Sequence, residues 1–296
     1  MSVIDQMPVP GPSAGPSTIS GATRVLAILG SPVTHSLSPH MHAGWIADHG
    51  IDATYVALSL AHDGVRETMR ALAQVGFHGA NVTVPFKAAA AQAADVRSGD
   101  VETLGVANTL QWKDGKLHAH NTDWQGARRA LDDAFPDWVR DVQHAVVIGG
   151  GGAARAIAYG IAHAGGPRVT IVNRALEKAQ AIADLVGGGA RAWADLPAVM
   201  RDADLIVNAT SLGMTGAAPF DWPLGAAKPG AIVYDAVYAP LETDLLKGAR
   251  ARGLRTVDGL GMLIHQGALA FEIWFGVRPD TARARARLLA ILAARS

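Results

Sequence analysis

Strand-length apolar runs alternate with helix-length segments along most of this chain, and that order restricts its fold more than any other feature. Runs at 25–30, 54–60, 80–84 and 106–112 read as strands, with helical stretches at about 38–49, 62–75 and 86–95 among them. A second series of strands at 144–149, 168–173, 204–208 and 231–235 repeats the order, and an Asp-rich helical segment near 123–141 joins the two series. Strands separated by helices are too far apart along the chain for tight hairpins. The order is that of a largely parallel sheet with helices on its faces. The expected class is therefore α/β, and 296 residues suit two domains.

The ends and the composition remove other classes. Residues 1–22 are dominated by Pro, Gly and Ser without periodicity and read as a disordered leader. The stretch has no basic segment ahead of an apolar core, so it is not read as a secretory signal, and the expectation is a cytoplasmic protein. Residues 279–294 place Leu288, Leu289, Ile291 and Leu292 on the pattern of a terminal helix with one buried face. Lysine plus arginine (26) balances aspartate plus glutamate (26), which argues against a nucleic-acid or anionic-membrane surface. With no cysteine there can be no disulfide, cysteine-ligated metal or thiol nucleophile. No apolar run reaches the ~18–20 residues that span a bilayer.

The strand at 144–149 runs into Gly149-Gly150-Gly151-Gly152-Ala153, and a helix-like stretch and a second strand follow. Glycines can make an ordinary turn. In this context they also let the backbone approach a pyrophosphate, whose charge suits the free amides of a helix start. The next strand ends at Asn173-Arg174, with Lys178 one turn on. An acidic residue there would bond the ribose hydroxyls of NAD, whereas a basic one accommodates the 2′-phosphate of NADP. Arg174 is thus either a surface arginine or the phosphate clamp of an NADP site, and NAD is the less favoured cofactor.

In the front half, Gly-Ala-Asn-Val-Thr-Val-Pro-Phe-Lys (79–87) puts Asn81 and Thr83 on one strand face and Lys87 at a helix start. A lysine at the positive end of a helix dipole is poorly placed for stability, so Lys87 is either a solvated side chain or a reactive one. Asp123, after Asn121-Thr122, opens another helix and reads on its own as a helix cap. Ser36 and Ser38 beside Pro39 can cap a helix or hold a carboxylate. His40 with His42, and His118 with His120, share the spacing of metal ligands, but neither pair has accompanying carboxylates and no metal is expected. The stretch Phe271-Glu272-Ile273-Trp274-Phe275 reads as core or interface packing, which leaves the assembly state, a homodimer included, open.

Taken in order, the stretches SLSP (36–39), GANVTVPFK (79–87), GVANT (105–109), NTD (121–123), GGGGAARA (149–156), NR (173–174), NATSLGM (208–214), YDAVYAPLET (234–243) and DGLGMLIHQGALAF (258–271) resemble the shikimate dehydrogenase family over about residues 24–278. The resemblance implies a substrate-binding domain over 23–122, completed by C-terminal helices at 262–296. A Rossmann NADP-binding domain over 123–261 would follow, with the active site in the cleft between them. It implies that Lys87 and Asp123 are the catalytic pair and that Ser36 and Ser38 hold the substrate carboxylate. Thr83, Asn108, Tyr238 and Gln266 then contact the hydroxyls of a small ring acid, and Gly259 lies beside the nicotinamide. The implied reaction is the reversible NADP-dependent reduction of 3-dehydroshikimate to shikimate, a step of chorismate and aromatic amino acid biosynthesis. The sequence departs from the family pattern at Ala43, where Asn is usual, and at Trp124, where Gly is common. Neither change removes a catalytic side chain. The alternatives are a quinate or aminoshikimate dehydrogenase, or a non-catalytic ligand sensor on the same fold.

Overall fold

A computed structural model describes residues 19–295; the expected leader lies outside the described residues as far as residue 18. From residue 20 the chain turns, with the Thr23 amide donating to the Ser20 carbonyl, and enters the first strand.

Two six-stranded sheets form in succession. The first comprises β1 (Arg24–Gly30), β2 (Ala53–Ser59), β3 (Phe77–Val82), β4 (Val96–Arg97), β5 (Thr109–Lys113) and β6 (Lys116–His120), in the order β2-β1-β3-β5-β6-β4. The second comprises β7 (His144–Ile148), β8 (Arg168–Asn173), β9 (Gly189–Ala192), β10 (Leu205–Asn208), β11 (Ile232–Asp235) and β12 (Arg255–Val257), in the order β12-β11-β10-β7-β8-β9. Every pair in the second sheet is parallel. Its order reverses direction on either side of β7, so β7 and β10 flank a switch point of the doubly wound kind.

The first sheet is largely parallel, as the alternation of runs suggests, with one antiparallel strand. β5 runs antiparallel to both β3 and β6. The β5–β6 hairpin closes on Asp114 (φ 51°) and Gly115 (φ 72°), the Asp-Gly pair that two-residue hairpins favour. The strand expected at 106–112 runs over Thr109–Lys113, with Asn108 before it already donating its amide to the His120 carbonyl and accepting the Val82 amide; Gly105 (φ 66°) ends the preceding helix. The helix expected over 123–141 is two, Asp123–Ala134 and Trp138–Asp141, since Pro136 has no amide to continue the first.

One helix ties the two halves together. Along Gly259–Phe275, Leu260, Ile264, Phe271 and Trp274 pack into the core of the first sheet, while Met262 enters that of the second. The terminal helix Thr281–Arg295 returns to the first sheet through Ala284 and Leu288. Helix Asp123–Ala134 is wedged between two others at glycines. A Cβ on Gly126 would lie 2.8 Å from Cβ of Gln266, and one on Gly160 would lie 2.6 Å from the Trp124 carbonyl oxygen. Gly160→Ala is therefore expected to destabilise the protein by about 1–3 kcal/mol through overpacking, despite alanine's better helix propensity. Urea denaturation at neutral pH checks this; a stabilised variant would show that the helices part freely.

Candidate active site

Lys87 opens the helix Lys87–Ala93 just after β3, and Asp123 opens the helix that follows β6. The fold brings them together: Lys87 Nζ donates to Asp123 Oδ2 at 2.6 Å, with side chains only 13% and 5% exposed. Thr122, not Asp123, occupies the cap position, so the Asp123 carboxylate is available to the lysine. The helix start suits an anion, and Asn121 Oδ1 accepts the Asp123 amide at 3.1 Å.

Asn108 is the centre of the surrounding network. Its Nδ2 lies within hydrogen-bond reach of Asp123 Oδ1 (3.0 Å), Gln266 Oε1 (3.1 Å) and Thr122 Oγ1 (2.9 Å). Its Oδ1 accepts the Thr122 amide at 2.7 Å. Behind it, Asn81 Nδ2 donates to the Asn108 carbonyl and to Thr109 Oγ1, and Tyr55 donates its phenolic hydrogen to Asn81 Oδ1 at 2.7 Å. Lys87, Asp123, Asn108 and Gln266 therefore form one connected set. Asn121, Thr122, Thr109 and Tyr55 support it and had been given no role from sequence. Asn81 had been placed on a strand face without one. The available signal was polar residues inside strand-like runs, as in ANVTV and VANTL.

Ser36, Ser38 and Thr83 lie on loops that leave adjacent parallel strands at their C-terminal ends, where ligands of open α/β sheets bind. Ser38 opens the helix Ser38–Asp48, and its amide donates to Ser36 Oγ at 3.2 Å. The two loops touch: the Ser31 amide donates to the Val84 carbonyl, and a Cβ on Gly30 would meet the Thr83 methyl at 2.4 Å. Tyr238 is half-buried against the first core, on the loop after β11. Gly259 is pressed on that same loop, since a Cβ there would lie 2.4 Å from the Ala236 carbonyl oxygen.

The glycine loop follows β7. Gly149 has φ 139°, and a Cβ there would meet the Ala209 carbonyl oxygen at 2.9 Å, while a Cβ on Gly150 would meet Asn173 Nδ2 at 2.7 Å. A Cβ on Gly151 would meet nothing within 4 Å, so this side of the loop is open. No side chain caps the helix Gly152–Ala162, and Ala153 and Ala154 keep its first turn narrow. The cradle thus has free amides and room for a pyrophosphate. Arg174 and Lys178 are exposed beyond Asn173, neither with an ion pair among the described residues. The loop also faces the chemistry: a Cβ on Gly152 would lie 3.4 Å from Lys87 Cδ. Arg155 crosses the same junction to donate to the Leu104 carbonyl at 3.1 Å. Trp124 packs edge-on to Tyr159 of the loop's helix, with ring centroids 5.5 Å apart.

Of the two histidine pairs, His42 serves packing, while His40 is exposed and His118 and His120 are half-buried on β6. His42 is buried and stacks on Tyr55 with ring centroids 4.3 Å apart. Among the described residues no three His, Asp or Glu side chains converge as a metal site. Burial pushes the His42 imidazole down to about 3, with the nearby Asn81 side chain opposing it. The unfolded chain takes up this proton near pH 6.5 and the folded chain does not until about pH 3. Stability from this group is therefore complete above about pH 6.5 and lost as the pH falls, by roughly 1.4 kcal/mol per unit. His42→Phe is expected to flatten that part of the acid dependence, which denaturation curves at about pH 7 and pH 5 measure. An unchanged slope would assign it to other groups.

The chain is similar to known proteins along most of its length. Residues 28–110 match the shikimate dehydrogenase substrate binding domain, 134–214 match shikimate / quinate 5-dehydrogenase, and 259–289 match the shikimate 5′-dehydrogenase C-terminal domain. The chain is 44% identical over 269 residues to the shikimate dehydrogenase (NADP(+)) of Rhodospirillum rubrum, covering 88% of this chain and 95% of that protein. It is 45% identical over 274 residues to the protein of the same name from Mesorhizobium japonicum, covering 92% and 98%. Among solved structures, a shikimate dehydrogenase in complex with NADP+ superposes with a TM-score of 0.86 at 33% identity, covering 93% of this chain and 98% of that one. The Thermus thermophilus shikimate 5-dehydrogenase in complex with NADP(H) and shikimate gives 0.81 at 34% identity, covering 90% and 98%. Likeness of this extent, over both sheets and the helix that joins them, means that the chain belongs to the shikimate dehydrogenase family.

Proposed function

We propose that the protein is an NADP-dependent oxidoreductase that interconverts 3-dehydroshikimate and shikimate. The observation that carries the reading is the buried Lys87–Asp123 pair, 2.6 Å apart, set in the Asn108 network and facing the glycine loop. Residues 23–122 with 262–296 would bind the ring acid, and 123–261 the dinucleotide. The loop from Gly149 to Ala153 would hold the pyrophosphate through the amides that follow Gly149, whose own amide donates to the Val172 carbonyl; Asn173, Arg174 and Lys178 would hold the adenosine end with its 2′-phosphate, and Gly259 would border the nicotinamide. When bound, the nicotinamide supplies and takes back the hydride.

The remaining steps belong to this chain. Lys87 gives its proton to the alkoxide forming on the ring during reduction and removes it during oxidation. Asp123 Oδ2 holds the ammonium in place, and its other oxygen, shared with Asn108, accepts from the neighbouring ring hydroxyl. Ser36 and Ser38 anchor the carboxylate of the ring. Thr83, Asn108, Tyr238 and Gln266 orient its hydroxyls.

The test is kcat/KM for shikimate, quinate and aminoshikimate with NADP and with NAD, followed by absorbance of the reduced nicotinamide. Shikimate with NADP is expected to give the highest value. A higher value for quinate or aminoshikimate would move the protein to that activity. No turnover with any acid and either cofactor would refute the reading and favour a ligand sensor.

A further inference from the structure

Asp235 is a fully buried carboxylate that the proposed chemistry does not use. It ends β11, beside the loop that carries Tyr238. A buried carboxylate without a cationic partner is costly unless hydrogen bonds satisfy both oxygens. Here they do. Oδ1 accepts from Asn208 Nδ2 at 2.9 Å and from the Val237 amide at 3.0 Å, and Oδ2 accepts from Thr243 Oγ1 at 2.6 Å. Burial pushes the carboxyl above its usual range, and the three donors oppose that shift.

Each donor leads to a different part of the proposed site. Asn208 ends β10 and organises the loop that follows it: its Oδ1 accepts the Thr210 amide and hydroxyl, and its Nδ2 donates to the Leu212 carbonyl. In that loop, Ala209 is the residue pressed against Gly149 of the glycine loop. Val237 directly precedes Tyr238, and Ala236, between Asp235 and Val237, is the backbone on which Gly259 is seated. Thr243 caps the helix Asp244–Ala251 and closes the far end of the Tyr238 loop. The Thr215 amide, donating to the Ala239 carbonyl, ties the two loops a second time.

We infer that Asp235 is a positioning residue: by joining Asn208, the Val237 amide and Thr243 it sets the Tyr238 loop and the 209–214 loop relative to the glycine loop. It touches neither ligand. This inference rests on the proposed function for what the two loops hold, though not for their being held. An apolar side chain could fill the same space, but it could not accept from three donors on three different segments.

Asp235→Asn keeps one oxygen for Asn208 and Val237 and turns an amide toward Thr243 Oγ1, which can accept it. Asp235→Ala leaves all three donors without a partner. Amide hydrogen exchange on the two purified variants is expected to show faster exchange at 209–214 and 236–241 in the alanine variant, with β7 and β8 unchanged and the asparagine variant close to the parent. In steady-state assays the alanine variant is expected to raise KM for both NADP and shikimate by tenfold or more, with a smaller loss in kcat per folded enzyme, and asparagine to recover most of it. A purely structural role would lower the amount of folded enzyme at unchanged KM. Should the alanine variant not fold, Thr243→Val, which removes the donor to Oδ2 together with the cap on the Leu246 amide, is expected to raise both KM values several-fold, with Thr243→Ser recovering them and Thr243→Asn, which keeps a cap acceptor, separating the two losses. Parental exchange rates or parental KM values in the alanine variant, or in Thr243→Val, overturn the inference. A parent enzyme without turnover would instead overturn the proposed function, leaving the exchange experiment to decide on Asp235.

Discussion

Lys87→Ala is expected to lower kcat by about 10²–10⁴-fold, the usual worth of general acid–base assistance, with a smaller change in KM. The reason is positional. Lys87 Nζ is held at 2.6 Å by Asp123, at a junction where the glycine loop comes within contact of its own side chain. A proton donor placed there serves an oxygen that becomes basic only as the hydride arrives, so its loss is felt in the transition state more than in binding. The substitution also leaves the Asp123 carboxylate, 5% exposed, with Asn108 as its remaining side-chain partner. That costs stability in its own right. Lys87→Arg separates the two effects: the guanidinium restores the charge beside Asp123 but cannot lend its proton. Stability is expected to recover in the arginine variant while kcat stays low. A parental kcat in the alanine variant, referred to folded enzyme, would remove Lys87 from the chemistry.

The second large effect concerns the cofactor. Arg174→Ala is expected to weaken NADP by about 1.5–3 kcal/mol, or roughly 10- to 150-fold, and to leave NAD almost unaffected. Arg174 is exposed just beyond Asn173, the side chain that borders Gly150, and it has no ion pair among the described residues. A guanidinium free of internal partners at the end of β8 is available for a phosphate and can meet it with two hydrogen bonds. The difference between the cofactors is that phosphate alone. Calorimetric titration of each nucleotide into parent and variant measures it. Equal losses for NADP and NAD would make Arg174 a general contact with the adenosine, not a phosphate clamp.

Much of this arrangement was legible in the chain before its structure. The second sheet was visible because its strands are buried on both faces and read as unbroken apolar runs, as in HAVVI and LIVN. Lys87 and Asp123 were legible only as alternatives, because a lysine after a proline and an aspartate at a helix start each have an ordinary explanation. Their 2.6 Å contact depends on how β3 and β6 are placed in one sheet, which local patterns do not encode. The hairpin at Asp114-Gly115 carried its turn signature, and β6 (KLHAH) alternates, but with only Leu117 and Ala119 apolar over five residues it is too short and too polar to stand out as a strand. β9 and β12 were missed for the same reason, being short strands at the two edges of the second sheet. Asn108 was expected in a strand and lies just before one. Its side-chain amide joins Asp123, Thr122 and Gln266, contacts that depend on how distant segments meet. The role of Gly126 and Gly160 was also invisible, since a glycine that lets two helices touch looks in sequence like any other helical glycine.

Lys87 and Asp123 acting as one proton-handling unit is the claim on which the rest depends. Kinetics of Lys87→Ala, Asp123→Ala and the double variant, compared with the parent in a single shikimate and NADP assay, test it most directly. If the two residues act together, the double variant loses far less kcat than the product of the two single losses, because without the ammonium the carboxylate keeps only its contact with the ring hydroxyl. Losses that multiply, with each residue contributing its full factor in the absence of the other, would contradict the pair.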